Sequence, residues 1–172
     1  MSLHPLQDDG RTLTNWKLFT SSLRLPANEP LSQLKHCNKL PQILARAEAE
    51  QAGADEALLT NTDGEVVEAA AGNLFWIQAG AVCTPPLAGG ILAGVTRIVL
   101  VELCQKLGLE FRETATDHNG LLRADGVFLS LSSHGIVQAI SLDGQGLSIQ
   151  PLTSQLHAAY ADLVELESAE RG

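Results

Sequence analysis

Residues 64–97 read GEVVEAAAGNLFWIQAGAVCTPPLAGGILAGVTR, and the way this stretch parses decides the fold. Val66-Val67-Glu68-Ala69 is a short apolar strand toward whose end a carboxylate appears. Leu74–Ile77 is a second strand, entered through Gly72-Asn73, and Ala79-Gly80 folds it back onto Ala81–Thr84 as a hairpin. Thr84-Pro85-Pro86 then breaks the sheet pattern. LAGVTRIVLVELCQKLGL (92–109) has helical apolar spacing, with Ile98, Val101, Leu103 and Leu107 expected inward and Gly108 as the stop. Strand, strand, hairpin and helix within so few residues point to a mixed fold with many hairpins.

The flanks extend that pattern. TLTNWKLFTSSLRL (12–25) is rich in Thr, Leu and aromatics and predicts a strand, which Pro26 to Pro30 interrupt. NKLPQILARAEAEQAG (38–53) predicts a helix: Leu40, Ile43, Leu44 and Ala47 recur at helical spacing, Pro41 is tolerated in the first turn and Gly53 ends it. DEALLTN (55–61) is a short strand, joined by Thr62-Asp63-Gly64 to the one bearing Glu68. Downstream come a strand at EFRET (110–114) and a short helix at DHNGLLRAD (117–125) capped by Asp117 or Asn119. GVFLSLSS (126–133) runs as a buried strand into a serine turn, IVQAISLDG (136–144) forms another strand, and an amphipathic helix closes the chain over Thr153–Glu167. The class is α/β, or mixed α+β, with a largely antiparallel or barrel-like sheet.

Composition narrows the functions. The chain has 172 residues, enough for one domain with a substantial core, and is 45% hydrophobic and 18% charged. A formal net charge of −9 argues against nucleic acid or an anionic membrane surface as a partner. No apolar run approaches the ~18 residues of a membrane span, and no signal peptide is evident. Cys37, Cys83 and Cys104 form an odd set without paired spacing, which fits a reducing cytoplasm. His4, His36, His118, His134 and His157 have no ligand spacing, so no metal site is expected. Residues 1–11 read as a loose polar lead-in, and Met1-Ser2-Leu3 as an expression scar on a piece of a longer protein.

Three features carry possible chemistry. Lys35, in LKHCNKL, is one of four lysines and lies between leucine-bearing turns, a setting expected to be partly buried. Burial lowers an ammonium's pKa and makes the amine a usable nucleophile and base; a solvated surface lysine is the alternative. Glu68 lies among Val66, Val67 and Ala69–Ala71, where an unpaired charge is costly, so it needs a cation or a donor unless it faces water from an edge strand. Gly94-Val95-Thr96 opens a helix and offers free amides and a hydroxyl to an anion, although many helices begin this way and bind nothing. Ser132-Ser133, after a buried strand, can complete such a cradle. Ser133-His134 without a GxSxG elbow does not make a serine hydrolase.

Together these pieces resemble the fold-type IV pyridoxal-phosphate enzymes, the class-IV aminotransferase family, and specifically the large C-terminal domain of that fold. The likeness runs from about Leu23 to the last helix. Its specific part is LKHCNKLPQILARAEAEQAGADEALLTNTDGEVVEAAAGNLFW (34–76), with Lys-x-x-Asn-[basic]-Leu, ADEAL and E-x-x-x-x-N-L-F-W. These elements are most similar to the 4-amino-4-deoxychorismate lyase branch. Branched-chain transaminases of the family usually carry Asn-Tyr where Lys39-Leu40 stands here.

The resemblance implies pyridoxal 5'-phosphate as cofactor, bonded through its aldehyde to Lys35. It implies Glu68 at the pyridine nitrogen, Val95 and Thr96 at the phosphate, and Ser132 where many members carry a phosphate-binding Thr. It further implies a small-molecule substrate, a homodimer and a cytoplasmic setting. The family's smaller N-terminal domain has no counterpart here, so the expected organisation is a lead-in and first strand over residues 1–22 and the cofactor-binding domain over 23–172. The implied reaction is elimination of pyruvate to leave 4-aminobenzoate, a folate precursor. A D-amino-acid or branched-chain aminotransferase is the alternative, and a cofactor-free, non-catalytic fragment is a further one.

Overall fold

The computed structural model describes residues 12–27, 34, 35 and 37–170. The expected lead-in over residues 1–11 and most of the break after Pro26 lie outside the described residues. Nine strands and four α-helices are described: β1 (Thr14–Leu25), α1 (Leu40–Gln51), β2 (Glu56–Asn61), β3 (Val66–Ala69), β4 (Asn73–Gln78), β5 (Ala81–Thr84), α2 (Val95–Lys106), β6 (Phe111–Glu113), α3 (His118–Leu122), β7 (Gly126–Leu131), β8 (Gly135–Leu142), β9 (Gln145–Gly146) and α4 (Pro151–Glu170). A 3₁₀ turn at Leu87–Gly89 lies between β5 and α2.

The strands form a single sheet in the order β3-β2-β1-β8-β7-β4-β5-β6, with β9 on β8. A further pairing of β3 with β4, through Glu68 and Asn73, brings the path back on itself and closes a six-stranded ring. β1 runs parallel to both of its neighbours, and the β7–β8, β4–β7 and β2–β3 pairs are antiparallel. The first strand, expected within residues 12–25, is β1, a stave of the ring that runs across the 22/23 boundary.

Alternation sorts the side chains to the two faces of this wall. On β4, Leu74 and Trp76 join one core cluster, with Leu18, Leu58, Val127 and Leu129; Phe75 and Ile77 join another, with Leu100, Cys104 and Leu156 of the flanking helices. Both faces are covered, which is why five of the six residues of NLFWIQ are buried. Phe75 and Phe128 stack across the β4–β7 pair at 5.1 Å. A third cluster packs α1 on β2 and β3 through Ala45, Ala49, Ala57, Leu59 and Val67.

Two helix faces differ from expectation. On α1 the buried residues are Ala45 and Ala49, whereas Leu40, Ile43 and Leu44 are exposed. Small residues let the helix backbone approach Ala57 of β2 closely, and the larger apolar side chains are left on the other side. On α2, Leu103 is inward as expected, but Ile98 and Leu107 are about half exposed; Arg97, Leu100 and Cys104 complete the buried face. Arg97 is tolerated there because its guanidinium reaches Glu113 of β6 at 2.9 Å. α2 also begins at Val95, three residues after Leu92, with Gly94 as its N-cap.

Candidate active site

A cavity of about 410 Å³ opens between α1, the β3–β4 turn, the start of α2 and the end of β7. Lys35, Glu68, Val95, Thr96 and Ser132 all line it. Residues separated by nearly a hundred positions thus meet at one place, because β3, β4 and β7 are joined in the ring and α1 lies across β3.

The β3–β4 turn sets the floor. A Cβ on Gly72 would come within 2.7 Å of both Leu131 Cγ and the Ser130 carbonyl, so this position accepts only a bare backbone. Asn73, buried at the start of β4, donates from Nδ2 to the Leu92 carbonyl at 2.8 Å. The same side chain fills the space next to Gly94, where a Cβ would run into its Oδ1. Ile91, 1% exposed, anchors the preceding segment in the α1 core. Asn73 and Ile91 together fix where α2 begins and aim its first turn at the cavity.

No side chain caps that first turn, since Gly94 has none to offer and no acidic residue follows. Its amides are therefore open to an anion, and Thr96 is 5% exposed beside them. Across the cavity, Ser130 of β7 is 2% exposed and its Oγ has no hydrogen-bond partner among the described residues. A buried hydroxyl of this kind is costly when left alone. Ser132, the residue picked out by sequence, lies beyond it on the exposed side of the rim.

Glu68 occupies the opposite wall. Burial pushes its carboxyl above the ordinary carboxylate range, offset in part by the Leu92 amide, the charge of Lys39 and a hydrogen bond from the Gln42 side chain. The Leu92 N–H donates to Oε2 at 3.5 Å, a long contact. The reading of Glu68 as an edge-strand group facing water does not hold: β3 is paired on both sides. Lys35 lines the mouth and is exposed, where partial burial had been expected. It precedes α1 and has cavity rather than protein on one side.

Gln42, Asn73 and Ser130 are among the lining residues that the sequence reading did not pick out as site residues. Lys39, Gln42, Ile43 and Arg46 occupy positions i, i+3, i+4 and i+7 of one helix face, and all four line the cavity. That stripe was available as a signal, but the helix was read only from its apolar residues. Among the described residues no group of three or more His, Cys, Asp or Glu could hold a metal ion, and no helix is long and apolar enough to cross a membrane.

The profile of the family described as Amino-transferase class IV matches residues 2–142. A D-alanine aminotransferase of Bacillus licheniformis is 31% identical over 140 residues, which are 80% of this chain and 49% of that one. A crystal structure from Legionella pneumophila, of a protein to which 4-amino-4-deoxychorismate lyase activity is ascribed, superimposes with a TM-score of 0.80 at 34% identity, covering 84% of this chain and 55% of that one. The branched-chain amino acid aminotransferase of Thermobaculum terrenum, in its PLP form, gives a TM-score of 0.85 at 28% identity, covering 91% and 53%. The chain spans about half the length of the curated relatives it matches.

Proposed function

This chain belongs to the amino-transferase class IV family, and on that premise we propose that it forms the pyridoxal-5'-phosphate-holding wall of an enzyme whose reaction is the lysis of 4-amino-4-deoxychorismate to 4-aminobenzoate and pyruvate. The observation that carries this reading is that Lys35, Glu68, Val95, Thr96 and Ser132 line one cavity. The residues present fit the cofactor on the chain's own terms. The uncapped first turn of α2 and the unpartnered Ser130 hydroxyl suit a phosphate, and a carboxyl whose ionisation is opposed by burial suits a cationic ring nitrogen.

Val95 and Thr96 would hold the phosphate through their amides and the Thr96 hydroxyl, with Ser130 and Ser132 lining the same cavity, and Glu68 would hold the ring nitrogen. The bound cofactor supplies an electron sink for the pair left when a proton leaves the amino-bearing carbon. Lys35 anchors the group, then takes the C4 proton of the substrate at Nζ and returns a proton to the departing enolpyruvyl carbon. The C–O bond breaks, the ring becomes aromatic, and pyruvate leaves with the oxygen, so every atom of the substrate appears in the two products.

The lyase reading is supported by 34% identity to the Legionella pneumophila protein and by Lys39-Leu40 after the lysine. A second reading, an aminotransferase for D-amino or branched-chain acids, is favoured by the names of the relatives. Supplying the chain with pyridoxal phosphate and aminodeoxychorismate separates them. Formation of 4-aminobenzoate and pyruvate in equal amounts is expected. Keto-acid formation from an amino-acid donor, without 4-aminobenzoate, would replace the lyase with the aminotransferase. No visible cofactor band on adding pyridoxal phosphate would leave a fragment that binds nothing. We also place the protein in the cytoplasm as a homodimer, in keeping with the family resemblance; a monomer in sedimentation would overturn the second point.

A further inference from the structure

Arg97 is the third residue of α2, in a first turn that holds no acidic residue. A cation there is opposed by the helix dipole, whose positive end is the N-terminus; Lys106, in the last turn, stands where the dipole favours one. Burial adds a second cost, for Arg97 is 3% exposed. Its charge is only partly neutralised. The guanidinium reaches Glu113 of β6 at 2.9 Å, but that carboxylate is 42% exposed and shared with water. Nε of Arg97 is buried with no hydrogen-bond partner among the described residues. Arg112, next to Glu113 on the same strand, is turned to Glu110 at 2.7 Å. An apolar side chain on the packed side of α2 would avoid all of these costs. Packing therefore gives no reason for a charge at this position. An anion at the start of the helix does.

Resting on the reading of this cavity as a cofactor site, we propose that Arg97 sets the site's preference for a ligand ending in phosphate, its charge adding to the open amides of the first turn. The charged residues that line the cavity are Lys35, Lys39 and Arg46, on α1 and just ahead of it, and Glu68 on β3. The stretch that lines it from the α2 side, residues 92–96, carries no charge. A dianionic group there meets amide dipoles alone unless Arg97 contributes. The base of the Arg97 side chain lies close by: a Cβ on Gly94, which lines the cavity, would stand 4.0 Å from its Cβ. Arg97 itself stands outside the lining, so it acts through its field and not by contact. Burial keeps water from screening that field, whereas the field of half-exposed Glu113 is screened. The bond to Glu113 fixes the guanidinium without cancelling it.

The test compares three variants of the full chain. Arg97→Met removes the charge and Arg97→Lys keeps one. Glu113→Gln leaves an acceptor for the guanidinium but removes the opposing charge. Affinities for pyridoxal 5'-phosphate and for pyridoxal, which lacks the phosphate, are read from the visible absorbance band of each. Arg97→Met should weaken binding of the phosphorylated form by about tenfold and leave pyridoxal unchanged, with Arg97→Lys losing less. Glu113→Gln should bind the phosphorylated form as tightly as wild type or more tightly. Equal losses for the two ligands in Arg97→Met overturn the proposal. So does a loss in Glu113→Gln as large as in Arg97→Met, the result expected if the ion pair merely pins the helix. Where Arg97→Met folds poorly, Glu113→Gln decides: kept or tighter binding supports the charge, and weaker binding overturns it. If the wild-type chain shows no band with either ligand, the cofactor reading itself fails, and inorganic phosphate becomes the probe. Thermal stabilisation of wild type by phosphate that is lost in Arg97→Met then supports the role of Arg97, and stabilisation that is absent from wild type or retained in the variant overturns it.

Discussion

Glu56 on β2 and Glu68 on β3 are both pushed above the ordinary carboxylate range, chiefly by burial, yet they ask for different experiments. Glu56 is 1% exposed and its Oε1 accepts from the Ala57 amide at 2.8 Å, which a glutamine carbonyl can also do. Below pH 4.5 the group is neutral in both folded and unfolded chains. As pH rises, the unfolded chain ionises first, so the fold loses stability until the buried carboxyl ionises as well. Glu56→Gln should therefore raise the urea midpoint more at pH 7 than at pH 4. An equal change at the two pH values would show that burial of charge is not the cause. For Glu68 the readout is chemistry. Glu68→Ala should retain the cofactor but lose turnover by about a hundredfold or more, whereas Lys35→Ala should lose the visible band and 10²–10⁴-fold or more of the rate. Full activity in either variant would remove that residue from the reaction.

Two tight hairpins decide how the wall is drawn together at the level of elements. Ala79 and Gly80, between Gln78 and Ala81, have φ of 51° and 80°, both in the left-handed region. This is the two-residue turn that favours Asn-Gly, and the Asp143-Gly144 turn between β8 and β9 meets the same demand with φ of 50° and 78°. Alanine is out of place at the first, so Ala79→Asn should stabilise the protein by about 0.5–1 kcal/mol in denaturant unfolding, keeping the amide's bond to Asp125. A loss of stability would mean that the side chain meets an obstacle. Most of these elements were legible, because turn residues and alternation act locally. Asp117 caps α3 through the Gly120 amide as anticipated. Faces were harder to read. Leu40, Ile43 and Leu44 were taken with Ala47 as one helical pattern, yet the surface α1 meets is close enough to admit only Ala45 and Ala49. Ser130 and Gln42 were missed for a related reason: what matters about each is the lack of a partner in space, and no spacing in the chain expresses that.

Across the whole molecule, the ring is closed at its weakest point by the site itself. β3 and β4 meet through one residue pair, Glu68 and Asn73, whereas β4 and β7 register over five pairs and β7 and β8 over five. A single bridge contributes little to cooperative opening, so the seam should be among the first parts of the barrel to open. The same two residues reach into the cavity wall: Asn73 donates to the Leu92 carbonyl just ahead of α2, and Glu68 lines the cavity beside it. A ligand gripping both the start of α2 and Glu68 would staple β3 to β4 through bonds that the empty seam lacks. Hydrogen exchange over residues 66–74 and 92–97 should therefore slow when pyridoxal phosphate is added, while β1 and β8 change little. Linkage sets the size of the stability gain at about 2.7 kcal/mol when free cofactor stands at a hundred times its dissociation constant. Gly94→Ala sharpens the test. Its Cβ would displace the Asn73 amide, so the variant should lose both the cofactor-dependent protection and about 1–3 kcal/mol of stability. Protection that rises evenly over the barrel, or survives in Gly94→Ala, would mean that the ligand does not act through the seam.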